Sequence, residues 1–104
     1  MSAPTLKVLG TLLASMQDEL SGAEIGRVAK LSSGTLYPIL LRLEAAGWLA
    51  SRWETEDPKA LGRPRRRFYR VTGVGAQKAS AAFRELEPGF RKLPKPVGGR
   101  IAWA

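Results

Sequence analysis

The sequence predicts a mainly α domain carrying a small β-hairpin, and its hydrophobic rhythm is the reason. From residue 6 to residue 43 apolar side chains recur at spacings of three and four, which places them on single faces of successive helices. Residues 48–54 and 65–71 instead alternate in the manner of strands, and the stretch between them holds Asp57-Pro58, Gly62 and Pro64, which form turns. From residue 72 the helical rhythm returns.

Pro4 suits a first helical turn, because its missing N–H is unpaired there anyway. Leu6, Leu9, Leu12, Leu13 and Met16 then mark one face of a helix ending near residue 16, with Gln17-Asp18-Glu19 as connector. Ser21 and Glu24 have capping-box spacing, each side chain satisfying a backbone donor of the other at the start of a second helix. Ile25, Val28 and Ala29 are its expected buried side, while Arg27 and Lys30 point away. Leu31-Ser32 is the turn into a third helix, which completes a helix-turn-helix.

The third helix, 33–47, organises the chain. Ser32 or Ser33 caps its start and Gly47 closes it. Leu36, Ile39, Leu40 and Leu43 form a stripe that must face a core, whereas Ser33, Thr35, Tyr37 and Arg42 carry hydrogen-bonding groups on the other side. Pro38 removes a donor and crowds the preceding turn, so an irregular start is expected.

In the first strand Leu49, Ser51 and Trp53 share one side and Trp48, Ala50 and Arg52 the other. In the second, Tyr69 and Val71 are expected to pack inward, leaving Arg66, Phe68 and Arg70 outward. Thr72 caps a last helix, 73–87, on which Ala76, Ala79, Phe83 and Leu86 follow the spacing of a helix–helix seam. Phe90 and Leu93 continue that spacing beyond the interruption at Pro88. A folded unit 1–87 followed by an extended Pro, Gly and Lys/Arg-rich tail 88–104, anchored by Ile101 and Trp103, is the expected organisation.

Composition narrows the chemistry. With 104 residues, a formal charge of +8 and a pI near 10.6, one domain with a polyanionic partner is expected, since neutralising phosphates releases counterions. Cysteine and histidine are both absent, which removes disulfides, thiol nucleophiles, imidazole bases and nearly every zinc site. No enzyme and no cofactor or metal are expected, because no nucleophile, base and orienting group assemble. Neither a signal peptide nor an apolar run of membrane-spanning length is legible, so a cytoplasmic location away from membranes is expected. The Gly73-Val74-Gly75 run lacks the third glycine of a phosphate-cradling loop, and Glu54, Glu56 and Asp57 lack the order of a calcium loop and read as a solvated turn.

The sharpest electrostatic feature is Lys59, Arg63, Arg65, Arg66, Arg67 and Arg70, carried on or beside the hairpin. Such arginines can enter a minor groove or bond phosphates, although charge runs also serve merely to solvate a face. Thr35 and Tyr37 are the candidates for base or sugar-phosphate contacts, with Tyr37 equally able to pack. Ser32 and Ser33 are placed to bond phosphate through hydroxyls and helix N-terminal amides, and Arg27, Lys30 and Arg42 complete the expected surface.

The run Gly34-Thr35-Leu36-Tyr37-Pro38 with Leu40, Arg42-Leu43-Glu44 and Gly47, followed by Arg67-Phe68-Tyr69-Arg70, Val71-Thr72 and Gly75, resembles the PadR family of bacterial transcriptional regulators over residues 5–87. The resemblance implies a winged helix-turn-helix with helix 33–47 as recognition helix and segment 54–70 as basic wing. It also implies a repressor that binds double-stranded DNA as a homodimer through its terminal helices, here 6–16 and 76–86. Leu6, Leu9, Leu13, Ala79, Phe83 and Leu86 are the expected dimerisation residues, and a small-molecule effector is left unidentified. The alternative from another class is a winged-helix module that docks an acidic protein.

Overall fold

The computed structural model describes residues 1–86. The expected tail, the packing residues Phe90, Leu93, Ile101 and Trp103, and the 87/88 boundary lie outside the described residues.

Helix α1 spans Ala3–Ala14; Ser2 caps it by accepting from the Thr5 N–H, and Pro4 lies in its first turn. Its buried face is Thr5, Val8, Leu9, Leu12 and Leu13, so the stripe is rotated toward Val8 and the helix stops short of Met16. A short strand then intervenes that the sequence did not betray: β1, Leu20–Ser21. A run of that length is too brief to show alternation.

Helix α2, Gly22–Ala29, opens with the expected capping box. Ser21 N–H donates to Glu24 Oε1 at 3.0 Å and Glu24 N–H donates to Ser21 Oγ at 3.1 Å. The Ser21 N–H is the main reason the Glu24 carboxyl titrates below its ordinary range. Ile25 and Ala29 are buried as expected, but Val28 is 59% exposed, because the core meets α2 along the Gly22–Ile25–Ala29 line and Val28 lies beside it. Lys30 ends the helix in the left-handed region at φ 58°, which turns the chain sharply into the third helix.

Helix α3, Ser33–Ala45, buries Leu36, Ile39, Leu40 and Leu43, the predicted stripe. It runs unbroken through Pro38, so the expected irregular start reduces to a 3₁₀-type bond from Thr35 N–H to the Ser32 carbonyl at 3.1 Å. Pro38 withholds a donor from the Gly34 carbonyl, and Gly34 faces solvent, where water substitutes at little cost. Ser32 occupies the cap position without capping: its hydroxyl donates to Thr35 Oγ1 at 3.3 Å instead of accepting from the backbone. Gly47, at φ 81°, makes the helix end a Schellman motif, with Trp48 N–H reaching the Leu43 carbonyl and Gly47 N–H the Glu44 carbonyl.

Strands β2, Leu49–Trp53, and β3, Arg67–Val71, pair antiparallel with Leu49 opposite Val71 and Trp53 opposite Arg67. β1 adds to the far edge of β3, giving a three-stranded sheet in the order β1-β3-β2 where a bare hairpin was expected. Between the strands, Asp57 caps a turn of helix, α4 (Pro58–Leu61), closed by Gly62 at φ 68°. Tyr69 and Val71 face inward as predicted. The last described helix, α5 (Gly73–Leu86), is capped by Thr72, whose Oγ1 accepts from Gly75 N–H at 3.0 Å.

One core joins these elements: Val8, Leu9, Leu12 and Leu13 of α1, Ile25 of α2, the α3 stripe, Leu49, Tyr69 and Val71 of the sheet, and Ala76 and Ala79 of α5. The arrangement is a winged helix-turn-helix. At the junction of α3, β2 and α5, Gly75 lies so close to Trp48 that a Cβ there would stand 2.1 Å from the Trp48 carbonyl oxygen. Gly75→Ala is therefore expected to destabilise the fold by about 1–3 kcal/mol or more, as overpacking against backbone does. Urea-unfolding midpoints measure it, and an unchanged midpoint would show that the junction yields freely.

Candidate nucleic-acid interface

The exposed side of α3 begins at its first turn. Ser32, Ser33, Gly34, Thr35, Tyr37, Pro38, Leu41, Arg42 and Ala45 all face solvent. Thr35 has its hydroxyl free to donate outward while accepting from Ser32. Tyr37 both packs and remains accessible: its ring lies across the backbone of Gly22, where a Cβ would meet the phenol oxygen at 2.5 Å, yet it stays 45% exposed. Gly22 thus lets α3 settle against the start of α2. A cleft of about 460 Å³ opens beside this contact, with Gly22, Ala23 and Tyr37 on one wall and Trp53, Arg65, Arg66 and Arg67 of the hairpin on the other.

The hairpin is braced by acids. Glu54 accepts from both terminal nitrogens of Arg63, at 2.6 and 3.0 Å, and from the Arg66 backbone N–H at 2.8 Å. The Arg63 guanidinium, then that N–H, pull the Glu54 carboxyl down from 4.5 to about 2. Arg67 reaches Ser51 Oγ at 3.0 Å and Glu44 Oε2 at 3.4 Å, while the Ser51 hydroxyl also bonds Glu44, so α3 is tied to the sheet. The Arg67 guanidinium also stacks 5.2 Å from the centre of the Trp53 ring. On the other sheet face, Arg52 pairs with Glu19 at 2.8 Å and lies 5.2 Å from the Phe68 ring centre.

Residues 13–81 match the transcriptional regulator PadR-like family. The chain belongs to this family. It is 39% identical over 71 residues to the transcriptional regulator Rv3488 of Mycobacterium tuberculosis, a match that covers 68% of this chain and 59% of the relative. The chain spans about three fifths of that relative's length. Among solved structures it resembles smu.1704 of Streptococcus mutans, with a TM-score of 0.62 and 28% identity over 80% of this chain and 78% of the other. It also shares the fold of Staphylococcus aureus MepR in its DNA complex, at a TM-score of 0.65 and 21% identity over 88% and 72% of the respective chains.

With the chain placed in the PadR-like family, the structure sorts the site expectations. Arg27, Lys30, Arg42, Lys59 and Arg66 are exposed, and none has a side-chain hydrogen bond or ion pair among the described residues. Arg63 differs from its expected role: its guanidinium is spent on Glu54 because the acid nine positions away lies directly across the hairpin base. Arg65 is half engaged, with Nε donating to the Glu56 carbonyl at 2.9 Å. Glu56 and Asp57 are exposed as a solvated turn should be, with Asp57 also capping α4, whereas Glu54 departs from that expectation and braces the wing.

The expected dimerisation residues divide as well. Leu9, Leu13 and Ala79 belong to the protomer's own core, because a small domain turns its most regular apolar faces inward. Leu6 and Phe83 are half-buried, and Leu86 is exposed. Sequence reasoning missed Glu19, Glu44, Glu54 and Gly22, whose partners lie far along the chain. Of the described helices, none is long and apolar enough to cross a membrane.

The Glu54 brace predicts a pH dependence. A carboxyl lowered from 4.5 to about 2 contributes stability that is complete above the unfolded value and fades as pH falls through the native one. Glu54→Gln should therefore lower the urea midpoint at neutral pH. The gap from wild type should close between pH 4.5 and about 2. A gap that persists at the acid end would mean that the carboxylate charge is not what holds the wing.

Proposed function

We propose that the chain binds double-stranded DNA sequence-specifically, with α3 in the major groove and the wing against the flanking backbone or minor groove. The single observation that carries this reading is the exposed front of α3, with Ser32, Ser33, Thr35, Tyr37 and Arg42, beside which Arg27 lines one cleft with Tyr37 and Arg66 another. Phosphate contacts by such cations position a protein on the duplex, and side chains on the helix then meet base edges. The same fold occurs in MepR, a protein solved in complex with DNA.

The functional unit is a homodimer that sets its recognition helices in successive major grooves about one helical turn apart and represses by covering a promoter. Of the expected dimerisation residues, Leu6 and Phe83 at the edge of the core and the exposed Leu86 are the candidate dimer contacts. A cytoplasmic location accords with that role.

Selection of bound fragments from a random DNA pool tests the reading. An inverted repeat among the winners is expected. Binding that is absent, or that does not weaken as salt rises, would overturn it and favour an acidic protein partner.

Two substitutions separate the parts of the surface. Thr35→Ala should cost about 1–3 kcal/mol on the selected site and little on random DNA, and equal losses would confine Thr35 to the backbone. Arg66→Ala should weaken binding to all sequences and flatten the salt dependence by about one unit, whereas an unchanged slope would place Arg66 off the DNA.

A further inference from the structure

The outermost line of α3 is not its hydroxyl groups. Gly34, Pro38, Leu41 and Ala45 follow one another at intervals of four, three and four, so they form a stripe directly opposite the buried Leu36, Ile39, Leu40 and Leu43. All of the stripe is exposed, and Leu41, at 70%, is more exposed than any other large apolar side chain among the described residues. Thr35 and Arg42 flank it on one side, Ser33 and Tyr37 on the other.

Gly34 adds a second observation. It is the second residue of α3, in its first turn, where glycine gives up helix propensity relative to alanine at less than the helix-interior cost. Among the described residues outside its own helical turn nothing requires one here, because a Cβ at this position would meet no atom within 4 Å and the backbone has no positive φ. A bare backbone with no internal neighbour suits the close approach of something external.

The occupant must combine negative charge at its borders with apolar groups at its centre, since Arg42 flanks the uncharged stripe on one side and Arg27 lines a cleft with Ser33 and Tyr37 on the other. The major groove of DNA has that character. Phosphates edge it, and the apolar group on its floor is the thymine C5-methyl. We propose that Leu41, with Pro38 and Ala45, reads thymine methyl groups, so that the preferred site is selected by where thymines lie as well as by hydrogen bonding. The proposal rests on the DNA-binding reading above and deepens it.

Fluorescence anisotropy on a site selected from the random pool tests it, each thymidine being replaced in turn by deoxyuridine, which removes the methyl and keeps every hydrogen-bonding group. At one or more positions in a half-site the wild-type protein should lose about fourfold in affinity, the value of one buried CH₂ group. That loss should disappear in Leu41→Ala and in Leu41→Gln, both exposed changes that leave the core intact.

Uracil tolerated at every position, or a uracil penalty that persists in both variants, would overturn the thymine reading while leaving DNA binding standing. Failure to bind any selected DNA would overturn both. If Leu41→Ala instead converts a dimer to a monomer in sedimentation, the stripe is a contact between copies of this chain and the proposal falls.

Discussion

The geometry of the whole surface depends on one junction, where Thr72 and Gly75 meet the end of the recognition helix. Thr72 N–H donates to the Trp48 carbonyl at 2.9 Å, and its hydroxyl donates to the Gly47 carbonyl at 2.7 Å. The same oxygen accepts from Gly75 N–H, so a single threonine satisfies the loose backbone groups of both helix ends. Gly75 then lets α5 press directly on Trp48. Since β2 leaves this point and β3 returns to it, the angle between α3 and the wing is set here. The proposed contact of α3 and the wing with one duplex requires that this angle hold.

Acidic residues on the surface of so basic a chain look contradictory until their partners are considered. Glu19, Glu44 and Glu54 each hold an arginine, and each pair bridges segments distant in sequence. The more exposed pairs, those of Glu19 and Glu44, contribute little stability on average, so their value here lies in orientation, whereas the Glu54 side chain is only 10% exposed and its pair stabilises the wing as well. Arg63 and Arg67 stiffen the hairpin and moor it to α3, while Arg66 and Lys59 keep their charge outward. Net positive charge therefore overstates the number of cations free to meet phosphate.

The recognition helix shows a comparable division of labour. Its hydroxyls and Arg42 sit on the flanks, its apolar stripe and Gly34 lead, and Tyr37 packs on Gly22 while keeping an accessible edge. Burial on one side and exposure on the other come from a single helical period. The features proposed to carry base discrimination are thus placed by the same geometry that builds the core.

Features set by near neighbours were legible from residues alone. The Ser21–Glu24 box, the Thr72 cap, the Gly47 termination and the buried α3 stripe all depend on contacts three or four positions apart, which the one-dimensional order contains. The PadR-like motif on α3 was legible for the same reason. What required the folded chain is everything set by distant encounters: β1 as a strand, Val28 left outside, Arg63 captured by Glu54, and Leu9, Leu13 and Ala79 consumed by the core. Periodicity says that a face is apolar or a residue charged. Only packing in three dimensions decides which of several apolar faces is covered, and which of many opposite charges comes within reach.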